Sequence, residues 1–85
     1  MTLTNPAAET ATRPLIDALV ADVFGPKLVL TRPELYERLG MSPEWLADRI
    51  AEGSLTELRL SPRKHVTTRD AFAEYLRRTN GDVTR

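Results

Sequence analysis

Thr31-Arg32-Pro33-Glu34, then Gly40-Met41-Ser42-Pro43, then Gly53, then Leu58-Arg59-Leu60-Ser61-Pro62-Arg63-Lys64-His65-Val66-Thr67 form the stretch whose punctuation decides the fold. The first segment is a capping box: a threonine hydroxyl serves the amide three residues on, and the glutamate carboxylate reaches back to the threonine amide. Leu35, Tyr36 and Leu39 give this helix its apolar side, and Gly40 suits the left-handed position after a helix end. Ser42 caps again with Pro43 at the first helical position. Trp45, Leu46, Arg49 and Ile50 continue at helical spacing until Gly53. Two helices with about three residues between them make a helix-turn-helix.

Beyond Leu55 the period changes from 3.6 to two. Leu58 and Leu60 alternate with Glu57, Arg59 and Ser61, and Ser61-Pro62-Arg63-Lys64 reads as a turn returning through His65-Val66-Thr67. Thr67 to Asp70 repeats the Thr-x-x-acid cap, and Ala71, Phe72, Tyr75 and Leu76 follow as a last helix closed near Asn80-Gly81.

Upstream, Ile16, Leu19, Val20, Val23 and Phe24 line one face of an amphipathic helix over 13–24. Thr12 is the expected cap, Pro14 sits early, and Gly25-Pro26 stops the helix. Leu28-Val29-Leu30 reads as a short strand. Residues 1–12 and 79–85 are polar and weakly patterned, so both are expected as flexible tails around a single domain at 13–78. The apolar stripe of the N-terminal helix has two uses: covering the core of a small domain, or forming a dimer seam. Intramolecular packing is the preferred reading, because small domains are short of core.

Composition narrows the functional classes. An apolar share of 41% and a charged share of 28% are those of a folded domain rather than a disordered chain. Without cysteine there is neither a disulfide framework nor a thiolate metal site, and one histidine leaves a zinc site needing three carboxylates. No metal and no cofactor are expected. No apolar run spans a bilayer and no secretory pattern opens the chain, so the expected compartment is the cytoplasm. No nucleophile stands beside a base in a recognisable motif and no glycine-rich phosphate loop is present, so the chain is not expected to be an enzyme.

Net charge is zero, but it is unevenly distributed. Residues 59–65 carry Arg59, Arg63, Lys64 and His65 and no acid, whereas the second helix carries Glu44, Asp48 and Glu52. A basic hairpin on a neutral body points to phosphate.

The order strand, helix, turn, helix, hairpin, helix resembles the excisionase (recombination directionality factor) family, which belongs with the MerR-like winged helix-turn-helix DNA-binding proteins. The resemblance covers about residues 28–78. It rests on Leu28-Val29-Leu30, Thr31 to Glu34, Gly40-Met41-Ser42, Gly53, the basic wing from Arg59 to His65, and Thr67 to Leu76. It implies a mainly α fold with a small β-hairpin, a winged helix-turn-helix to which 13–24 adds an N-terminal helix.

In function it implies a sequence-specific, architectural protein. Such a protein binds double-stranded DNA cooperatively, bends it, and assists integrase-mediated site-specific excision or acts as a small transcriptional regulator. An integrase or recombinase, and further copies of the chain on DNA or through residues 13–24, are the implied partners. By the same resemblance the second helix enters the major groove, with Ser42, Pro43, Glu44, Trp45, Asp48 and Arg49 toward DNA. The wing, with Arg59, Arg63, Lys64 and His65, reaches a minor groove or the backbone.

The chain departs from the family at Glu44 and Asp48, which set negative charge where small polar and basic residues are usual. The wing therefore carries more of the DNA-binding expectation than the second helix. Trp45 has two readings, a stacking residue at DNA or a partly buried packing residue, and the second is preferred at this spacing. The alternative function is a winged-helix protein-interaction module whose acidic second helix meets a basic protein partner.

Overall fold

The computed structural model of the chain describes residues 6–81, with side chains from Arg13 onward. Within it, α1 (Pro6–Phe24), β1 (Val29–Thr31), α2 (Arg32–Leu39), α3 (Pro43–Ala51), β2 (Leu58–Ser61), β3 (Lys64–Thr68) and α4 (Arg69–Thr79) follow in order. The protein is mainly α with a small three-stranded antiparallel sheet.

The first helix is longer than its punctuation suggests. It begins at Pro6, so residues 6–12 are helical rather than tail, and Thr12 lies inside the helix instead of capping it. Pro6 provides a preset φ, and Ala7, Ala8, Glu9 and Ala11 are good helix formers that outweigh the break suggested by Thr12 and Pro14. At the other end Thr79 still belongs to α4 and Asn80 and Gly81 close it, while residues 1–5 and 82–85, the rest of the expected tails, lie outside the described residues.

The sheet is ordered β1-β3-β2, which puts β3 in the middle. β1 pairs with β3 through Leu30 opposite Thr67, and β2 pairs with β3 through Leu58 opposite Val66 and Arg59 opposite His65. The register slips between Arg59 and Ser61, so Leu60 is an extra residue in the outer strand, a bulge that adds local twist. Thr31 ends β1 and caps α2 at once. Its Oγ1 accepts from the Glu34 amide at 3.4 Å while Glu34 Oε1 accepts from the Thr31 amide at 2.9 Å. At the other end Gly40 has φ +71°, and the Met41 amide donates to the Tyr36 carbonyl at 2.9 Å. These bonds set the three-residue turn before α3.

The core gathers Ile16, Val20, Val23 and Phe24 from α1 with Leu30, Leu35, Leu46, Leu55 and Phe72. Phe24 and Phe72 meet with ring centres 5.8 Å apart, which fastens α1 to α4. Arg38 of α2 donates to the Val23 carbonyl at 2.7 Å, satisfying one of the last carbonyls of α1. The stripe of α1 thus packs within the chain, as preferred, except that Leu19 remains 39% exposed.

Two local readings need correction. The cap of α4 is Thr68, whose Oγ1 accepts from the Ala71 amide at 3.0 Å. Thr67 is instead a buried strand residue opposite Leu30, because β3 runs one residue further before the helix begins. The short strand before α2 is Val29–Thr31 rather than 28–30, and Leu28 is exposed. On the hairpin, Leu58 and Leu60 are 49% and 54% exposed. Their alternation specifies a strand, but β2 is an edge strand and the core lies beneath β3.

Candidate functional site

The hairpin of β2 and β3 carries Arg59, Arg63, Lys64 and His65, all four exposed. Arg59 and His65 face each other across the strands, and Lys64 is opposite Ser61. Arg63 occupies the two-residue turn with Pro62. Among the described residues, Arg59, Arg63 and Lys64 take no part in an ion pair. Cations left without a carboxylate keep their full attraction for an external anion, over roughly the 8–10 Å that salt allows.

The second helix behaves differently. Ser42 Oγ accepts from the Trp45 amide at 3.1 Å and so caps the helix, which leaves its O–H free to donate. Trp45 is half-buried and meets Tyr75 edge-on, with ring centres 6.2 Å apart and planes at 79°. The Arg49 guanidinium lies 5.8 Å from the centre of the Trp45 ring. Its Nη2 donates to Glu52 at 3.1 Å, while Nε, 2.8 Å from the other carboxylate oxygen, is not aligned for a hydrogen bond. Glu52 is held below the usual carboxylate range, chiefly by the Ser54 hydroxyl and then by Arg49. Of the second-helix residues named above, Trp45 and Arg49 are thus engaged in contacts within the fold, while the capping Ser42 is exposed. Glu44 and Asp48 are exposed and outside any ion pair among the described residues.

One pair of residues adjoining the hairpin is not indicated by any local sequence pattern. Arg32, at the start of α2, donates Nε to Glu57 Oε2 at 2.8 Å and Nη2 to Glu57 Oε1 at 2.9 Å. The fork raises the Arg32 pKa and lowers that of Glu57, whose side chain is only 11% exposed. His65 Nδ1 lies 3.7 Å from the same carboxylate, and a protonated imidazole there would add to the lowering.

No family model matches this chain, and neither does any curated protein or solved structure.

The site therefore rests on its own geometry. Between the start of α2 and the turn of the hairpin lies an open cleft of about 470 Å³, lined by Thr31, Arg32, Pro33, Arg63, Lys64 and His65. A second depression of about 320 Å³ between α1 and α4 is lined by Asp17, Asp70, Arg69 and Arg77 among others, so its charges are mixed. Among the described residues no group of three His, Asp or Glu side chains is placed to hold a metal, and no helix is long and apolar enough to cross a membrane.

Proposed function

We propose that this chain is a winged helix-turn-helix protein that binds double-stranded DNA, of the excisionase type. Its role would be to shape DNA for an integrase or to regulate transcription. The observation that carries the reading is the exposed hairpin on which Arg59, Arg63 and Lys64 lack carboxylate partners among the described residues. Two capped helices with a three-residue turn precede it, the arrangement in which a second helix and a wing address one duplex.

The contacts of the wing are to phosphates, so they fix affinity and register more than sequence. Base reading by α3 falls to Glu44 and Asp48, whose carboxylates accept from cytosine N4 and are repelled by phosphate. Affinity therefore comes from the wing, and sequence preference comes from shape and from the few acceptor contacts of α3. The reading carries a cytoplasmic location with it, and no catalysis.

Retardation of a random duplex in low salt is the direct test, and it is expected at micromolar protein. Absence of retardation would overturn the DNA reading and favour the second one, a protein-interaction module. That second reading has its own observation, the exposed acids of α3. An integrase gene beside the coding sequence would favour excision over transcriptional regulation.

A further inference from the structure

We infer that the cleft between α2 and the hairpin is a binding site for one backbone phosphodiester, with Arg32 as a donor beside the cations of the wing. This rests on the DNA reading above and assigns a place to one of its contacts. The cleft is lined by Arg32, Arg63, Lys64 and His65, together with Thr31 and Pro33.

Arg32 is the decisive member. A guanidinium has five N–H donors, and Glu57 accepts from two of them, so three remain for a ligand. The two bonds to Glu57 also fix the plane of the fork, and a donor held in place loses less entropy on binding than a free one. Glu57 neutralises Arg32 from behind, with its side chain largely withdrawn from solvent. Arg63 and Lys64 remain uncompensated among the described residues, so the cleft is net positive even with His65 neutral.

This arrangement suits a bulky singly charged group better than a small dianion. The cleft is wide and open, and its donors come from two separate elements. One phosphodiester seated there would bridge the first helix of the helix-turn-helix to the wing. The bridging contact would hold both elements in one register on the duplex, which neither could set alone.

The experiment is an NMR titration of the intact chain, following backbone amides and arginine Nε–H signals. A random-sequence duplex, inorganic phosphate and a phosphoserine peptide are added separately. With duplex, the signals of Thr31, Arg32 Nε, Arg63, Lys64 and His65 are expected to shift together. Inorganic phosphate is expected to move the same signals at much higher concentration. Arg32→Gln is expected to weaken duplex binding roughly tenfold and to reduce the salt slope by about 0.9.

Duplex binding in which Arg32 Nε and Thr31 stay still, with the slope of Arg32→Gln unchanged, would overturn the cleft and leave the DNA reading standing. No duplex binding at all would overturn both, even if phosphate alone moves the cleft signals. Preference for the phosphopeptide over duplex at equal concentration would overturn the assignment to nucleic acid. The wild-type shifts decide the matter if Arg32→Gln fails to fold.

Discussion

Arg32 and Glu57, 25 positions apart in the chain, are joined by two hydrogen bonds of 2.8 and 2.9 Å that tie the start of α2 to the entry of the hairpin. The pair is unequal in its surroundings, since the Arg32 side chain is 44% exposed and that of Glu57 11%. Solvent screening keeps such a pair to about 1 kcal/mol or less, but the partner left behind matters more. Arg32→Gln strands a nearly buried carboxylate, whereas Glu57→Gln leaves a guanidinium that water can solvate. Urea unfolding is therefore expected to show the larger loss for Arg32→Gln, roughly 1–2 kcal/mol against about 0.5 for Glu57→Gln. The reverse order would mean that Arg32 is the more buried partner.

Acid should weaken the α2 cap in a defined window. Lys27 first, and then the Thr31 amide, hold the Glu34 carboxyl down at about 2 from its usual value near 4.5. A group depressed in the folded state contributes stability above its unfolded value, and that contribution fades as the pH falls from about 4.5 toward 2. Melting of the wild type and of Glu34→Gln should thus differ at pH 7 and converge by about pH 2. A gap that persists at that pH would place the contribution of Glu34 elsewhere than in its charge.

Thr67 is 1% exposed, and among the described residues its hydroxyl has no hydrogen-bond partner. A methyl group of the same shape removes that desolvation cost, so Thr67→Val is expected to be neutral or to stabilise by up to about 1 kcal/mol. Thermal melting checks this, and a clear loss of stability would show that the hydroxyl has a partner.

Trp45 packs between Tyr75 and Arg49, so part of its surface contributes to stability. Trp45→Ala is expected to lower stability by about 2–3 kcal/mol, less than a fully buried aromatic would. Duplex binding of the variant, measured where it is folded, should keep the wild-type affinity at fixed salt. A clear loss of affinity with the fold intact would return the indole to the DNA contact, because stacking on a base adds affinity without changing the salt slope.

Much of the helical scaffold is legible in the sequence because caps and glycines act over three or four residues. The Thr31 to Glu34 box, the Ser42 cap and the left-handed Gly40 are local devices and stand where the sequence puts them. The Arg32 to Glu57 pair is not legible, since it joins residues 25 apart and no short-range pattern encodes it. The exposure of Leu58 and Leu60 is hidden as well. Alternation gives the strand, while the position of β2 at the sheet edge is a property of the assembled fold. The start of α1 misleads for the opposite reason: a threonine and a proline look like a boundary, and the alanine-rich turn before them continues the helix.

In the proposed function, the uncompensated cations of the hairpin provide the affinity for DNA. The most direct test is the salt dependence of duplex binding for the wild type and for Arg63→Ala/Lys64→Ala. Removing one phosphate neutralisation lowers the steepness of log K against log salt by about 0.9. The double variant should therefore bind all sequences more weakly, with a salt slope shallower by nearly 2. An unchanged slope in the double variant would contradict the assignment of affinity to the wing.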